Sequence, residues 1–205
     1  MQAQTQTSAT ISQIPEPPIA RFLFADTRLA PFWLLVRLYV GYEWLTAGWG
    51  KLTNPAGVWV GAKAGTAVTG FIQEALSKTT GDYPDVTVWY AWFLRNVALP
   101  NAAIFSYMVA FGEILVGIAL ILGLLTGIAA FFGGFMNASY LLAGTVSVNP
   151  VLFILETWLV LAWRVAGYWG LDRWALRLIG VPGAPGTLFQ RRAVQSSQRP
   201  SEVRR

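Results

Sequence analysis

The sequence predicts an all-α protein, an integral membrane four-helix bundle with an extended outer loop carrying short interfacial helices. Three observations predict it. The 205-residue chain is 55% hydrophobic and only 12% charged, with a mean hydropathy of +0.48, whereas a soluble domain carries about 25% charged residues. Its apolar residues gather into runs at 31–50, 102–124, 126–145 and 151–168, each near the roughly 20 residues that cross about 30 Å of hydrocarbon. Finally, Arg37, Glu43 and Glu113 lie inside the first two runs. A charge there costs roughly 2.5–3.5 kcal/mol even on the lenient insertion scale, so it must be paired, wetted or used.

Residues 1–30 are polar, with Pro15, Pro17 and Pro18. They lack the basic start and short apolar core of a secretory signal, so they read as a tail, ordered only near Phe22–Phe24 at the membrane surface. A signal cleaved near 47–50 is the competing reading of the first run. Pro31 suits a first helical turn, and Pro100 and Pro150 precede the second and fourth runs. Lipid offers the backbone no hydrogen-bond partner, so each run must be helical. The short links near 123–127 and 144–150 make neighbours antiparallel, which favours a bundle over residues 31–170.

Lys and Arg set the orientation. Arg21 and Arg28 flank the first run, and Arg173, Arg177, Arg191, Arg192, Arg199, Arg204 and Arg205 follow the fourth. Both termini are therefore expected in the cytoplasm, with the protein in the inner (plasma) membrane and the loop at about 52–101 facing outward. In that loop Val68, Phe71, Ile72, Ala75 and Leu76 recur at helical spacing. Trp89, Tyr90, Trp92 and Phe93 form an aromatic patch of the kind found at headgroup level. Leu171, Trp174, Ala175 and Leu178 make an apolar stripe beside two arginines, an interfacial helix over 171–180. Residues 181–205 read as a basic disordered tail.

The net charge of +5 sits mostly at that tail, a pattern suited to anionic lipid and, with no binding motif beside it, not to nucleic acid. The chain has no Cys and no His. Thiol chemistry, thiolate metal sites and imidazole-ligated haem are thereby excluded, and no metal site is expected. Proton chemistry must use carboxylates, Lys, Tyr, water or the substrate.

On the first run Arg37, Gly41, Trp44, Gly48 and Lys51 share one face, within about 40° either side of Arg37. The glycines permit close helix approach, and the same gap would admit a flat ring. Glu43 points about 120° away. Counted by rise, Glu43 and Glu113 lie near the midplane, Arg37 and Arg164 nearer the inner end, and Glu156 and Lys51 in the outer third. The expectation is an inner cluster of Glu113, Glu43, Arg37 and Arg164, completed by Asn137, and an outer Glu156–Lys51 pair. The competing reading is structural: Arg164 and Lys51 snorkel, and Glu43, Glu156 and Arg164 form ion pairs that fix helix register.

The stretch GYEWLTAGWGKL at 41–52, with Arg37 before it, resembles the DoxX/DoxD family of small four-helix membrane proteins. FGEILVGIALILGLLT at 111–126 is similar to it as well, as are residues 101–105, Met136 and Asn137, Asn149 and Pro150, and 170–172. The resemblance covers roughly 30–173. It implies a DoxD-like subunit that passes electrons from thiosulfate or a related sulfur compound to quinone, or a non-catalytic subunit that anchors a larger complex. It further implies a DoxA-like partner, a homo-oligomer being the alternative. The positions that match are Arg37, Lys51, Glu113 and Asn137. On this reading quinone is the substrate, polarised by Arg37, with protons handled by Glu113. Trp44 and Asn137 would contact it, and Lys51 and Arg95 would attract the anionic donor.

Overall fold

The computed structural model describes residues 16–181; the expected tail beyond 181 and residues 1–15 lie outside the described residues. The chain there is helical and, among the described residues, has no strand. Helix α1 (Pro18–Ala25) and a 3-10 turn lead into α2 (Ala30–Leu52). Helices α3 (Thr66–Ser77) and α4 (Val88–Phe93) follow, with a π turn at Leu94–Ala98. Then come α5 (Ala102–Leu122), α6 (Thr126–Leu142), α7 (Asn149–Leu161), α8 (Trp163–Ala166) and α9 (Asp172–Leu178).

The four apolar runs become α2, α5, α6 and the α7–α8 pair. Among the described residues, α5 is the one helix long and apolar enough by itself to cross a membrane. At 23 residues α2 is long enough, but Arg37, Glu43 and Lys51 dilute its apolar content. Helix α6 has 17 residues and α7 only 13. The fourth run is broken at Ala162, where the backbone turns at φ −87° and ψ 14°. That turn sets Trp163 against Gly127 of α6, its Cβ 2.6 Å from where a side chain at 127 would begin.

The apolar core of the bundle, with Trp33, Val40, Leu120 and Leu159, also encloses polar and charged side chains, while many large apolar ones face outward. Arg37, Ser106, Glu113, Thr126, Asn137, Glu156 and Asp172 are buried. Leu35 and Tyr42 of α2, Met108 and Leu115 of α5, Phe131 and Phe135 of α6, and Ile154 and Trp158 of α7 are exposed. Water would penalise so extensive an apolar belt. Packing inside relies on small residues. A Cβ at Gly117 of α5 would lie 2.6 Å from the Leu45 backbone nitrogen of α2, so these helices meet backbone to backbone. The space expected to admit a ring beside Gly41 and Gly48 is filled by α5 itself, through Ile114 and Ile121.

The loop at 52–101 folds as a cap with its own core of Val68, Ile72, Ala75, Val86, Tyr90 and Leu94. It is tied to the bundle by Ser106 Oγ to Trp59 O (2.6 Å), Tyr90 Oη to Ser139 O (2.8 Å) and Lys78 Nζ to Gly144 O (3.1 Å). At the opposite end α1 packs on α8, and Trp33 Nε1 donates to Leu23 O at 2.8 Å. The N-terminal segment is therefore helical over Pro18–Ala25, more ordered than the sequence suggests.

Candidate functional site: a buried polar line across the bundle

Two carboxylates from different helices occupy the interior. Glu113 of α5 accepts from Lys51 Nζ of α2 at 2.6 Å and from Tyr140 Oη of α6 at 2.9 Å. Its side chain is only 2% exposed, against 20% for Lys51. The ammonium also lies 5.0 Å above the Trp59 ring of the cap. Glu156 of α7 is fully buried. It accepts from Trp44 Nε1 of α2 and from Asn137 Nδ2 of α6 at 2.6 Å.

Local sequence places these groups. Trp44, Gly48 and Lys51 share the inward face of α2, and Asn137 and Tyr140 stand one turn apart on α6. The Trp44 and Tyr140 rings lie 6.4 Å apart and join the two carboxylate sites into one line. Gly133 makes room for it, since a side chain there would overlap Glu156 Oε1 and approach Trp44 Nε1 to 3.0 Å.

The two carboxylates differ in kind. Glu113 has a cation. Glu156 makes no ion pair among the described residues and is held only by neutral donors. A buried charge without a counter-charge is costly, and in a membrane interior such a group is a functional candidate. Asn137 Oδ1 is also buried and has no partner among the described residues, so the line ends on a free acceptor.

The expected pairings therefore change. Lys51 binds Glu113, not Glu156. The first turns of α5 lie beside the cap, at Ser106 and Tyr107, so Glu113 stands level with Lys51 near the end of α2 that meets the cap. Arg37 does not join it. The Arg37 guanidinium lies at the end of the bundle opposite the cap, 3.4 Å from Ile121 O and 3.3 Å from Trp169 O, in space kept open by Gly123 and Gly170. There a cation complements the C-terminal carbonyls of α5. Arg164 pairs on the surface with Glu16 at 2.7 Å. Glu43 is half-buried and makes no ion pair among the described residues. Arg95 is exposed on the π turn, remote in sequence from the line.

Sequence reasoning overlooked Tyr140 and Asp172. Tyr140 follows Asn137 by three residues on a predicted helix, a spacing that brings two polar groups onto one face. Asp172 is buried and accepts from Leu125 N (2.6 Å) and Thr126 N (2.9 Å), thereby capping α6 from outside that helix. Its signal was its place in the segment 170–172.

An all-helical bundle that encloses ionisable groups in its core and presents a broad belt of exposed apolar side chains has the character of a small membrane-associated protein. The model of the DoxX family matches residues 32–146, and the chain belongs to that membrane-associated family. No curated protein and no solved structure matches it.

Proposed function

We propose that α2, α5, α6 and the α7–α8 pair each cross the bilayer, with both termini in the cytoplasm. On this reading the protein is the membrane subunit of a quinone-linked oxidoreductase of the plasma membrane. The observation that carries the reading is the Trp44–Glu156–Asn137 constellation, a carboxyl at the centre of the bundle without a cation. Reducing a quinone takes up two protons for two electrons. Glu156 Oε and Glu113 Oε are the carboxylate atoms of this polar line able to hold protons, and Lys51 and Tyr140 connect the second to the outer rim. Asn137 Oδ1 is an acceptor of the kind a quinol hydroxyl requires. Arg37 has no part in this proposal, because its guanidinium faces carbonyls at the inner end.

Thiosulfate or a related sulfur compound is the proposed electron donor, delivered with or without a DoxA-like partner. One feature favours the alternative, a non-catalytic organising subunit. Between residues 51 and 113 the chain carries four cationic and four anionic side chains, and Lys51 is neutralised by Glu113. The outer face has little attraction for an anion.

The test is quinone retention and reduction by purified protein in nanodiscs supplied with thiosulfate, compared with Glu156→Gln. Reduction by wild type that falls at least about tenfold in the variant supports the oxidoreductase. A stable complex with a partner and no turnover in either form supports the organiser.

A further inference from the structure

A crevice of about 250 Å³ opens at the inner end of the bundle, between α6, α7, α8 and α9. Its walls are mostly apolar, with Leu125, Ile128, Val160, Trp163, Leu176 and Ile179, and the one carboxylate on its lining, Asp172, is buried and turned to Leu125 N and Thr126 N. Most of these are exposed, Ile128 by 55% and Ile179 by 47%, so the crevice faces the surroundings of the bundle. Thr126 also lines it.

Helix α9 and the residue that caps it supply Leu176 and Ile179 to this crevice. It also carries Arg173 and Arg177, one turn apart and exposed. Neither arginine makes an ion pair among the described residues, and Arg173 lies 5.9 Å from the Tyr168 ring centroid. Trp174 and Leu178 on the same helix are exposed by 61% and 48%, as a helix lying in the headgroup layer requires. An apolar slot beside two unneutralised guanidinium groups complements a molecule with an acyl chain and an anionic head.

We propose that this crevice and the α9 arginines form a binding site for one anionic glycerophospholipid, with an acyl chain along Ile128 and Trp163 and its phosphate on Arg173 and Arg177. The site rests on the bilayer placement proposed above but not on quinone chemistry.

The test is native mass spectrometry of the full-length chain in non-ionic detergent, titrated with dioleoyl phosphatidylglycerol or dioleoyl phosphatidylcholine. Wild type is expected to prefer phosphatidylglycerol. The double variant R173Q/R177Q should bind it about thirtyfold more weakly, each surface cation contributing about fivefold, with phosphatidylcholine unaffected. Ile128→Trp fills the crevice at an exposed position without altering charge, and should weaken both lipids. Phosphatidylglycerol binding that survives R173Q/R177Q overturns the headgroup assignment. Binding unchanged in Ile128→Trp, or displaced by equimolar glycerol 3-phosphate, overturns the acyl site. Loss of quinone activity in Glu156→Gln with lipid binding intact separates the two proposals.

Discussion

Lys51 and Glu113, 62 residues apart in the chain, meet at 2.6 Å across the α2–α5 contact, where Gly48 lets the helices approach. The ammonium is partly covered by Trp59 and the carboxylate is completed by Tyr140. Removing one member of such a pair leaves a buried charge unpaired, a loss of about 3–5 kcal/mol. Lys51→Met should therefore destabilise the protein by that order in denaturant unfolding. Adding Glu113→Leu should restore much of the loss. A double variant no more stable than Lys51→Met would show that the two residues do not act as a pair.

At Glu156 the expectation separates shape from charge. Gln keeps an acceptor for Trp44 Nε1, and Asn137 can reverse its amide to face the new NH2 group. Glu156→Gln should fold with near wild-type stability. Glu156→Leu strands the Trp44 N–H and the Asn137 amide, at about 1–3 kcal/mol for each unsatisfied group. Thermal unfolding in detergent compares the two, and equal stability would deny these hydrogen bonds any part in the fold.

Helix contact supplies a steric prediction. Gly117→Ala sets a methyl group 2.6 Å from Leu45 N, against backbone that cannot rotate away, and overpacking of this kind costs about 1–3 kcal/mol. Gly112→Ala on the same helix meets only the flexible Met136 Sδ at 3.4 Å. It should be neutral or stabilising by up to about 1 kcal/mol through helix propensity. The yield of folded, monodisperse protein from the two variants checks the contrast.

Asp172 ties together the end of the bundle opposite the cap. Asp172→Ala removes the acceptors of Leu125 N and Thr126 N, a loss of about 0.5–2 kcal/mol for a helix cap. Hydrogen exchange should quicken at the first turn of α6 and leave the cap at 52–101 unchanged. Uniform acceleration through the whole chain would refute a local role.

The cap is expected to respond to alkaline pH through Tyr90. Burial pushes its phenol above the ordinary range, and its O–H is donated to Ser139 O, a bond the phenolate could not make. A group whose folded pKa is raised contributes stability fully below its unfolded pKa, about 10 for Tyr, and loses it as pH rises beyond that value. Wild type should thus lose stability above about pH 10 more steeply than Tyr90→Phe. Tyr90→Phe itself should be about 1 kcal/mol less stable at neutral pH. Parallel alkaline profiles for the two proteins would exclude Tyr90 from cap docking.

Much of the architecture could be read from the chain. The apolar runs located α2, α5 and α6, because the interiors of such segments have few alternatives to helix. The inward face of α2 was visible as Arg37, Trp44, Gly48 and Lys51 at helical spacing, and all but Lys51 are fully enclosed. The helices at Thr66–Ser77 and Val88–Phe93 announced themselves by periodicity and aromatic clustering.

Partner choice was decided only in three dimensions. Depth counted along each run treats every helix as starting at the same membrane plane. Here α5 begins beneath the cap, which brings Glu113 level with Lys51 and leaves Glu156 to Trp44 and Asn137. Periodicity fixes a residue's angle on its own helix, because that angle depends on local backbone geometry. Which group it meets depends on the axial offset between helices, set by glycine contacts such as Gly117 with Leu45 and by the docking of a distant loop.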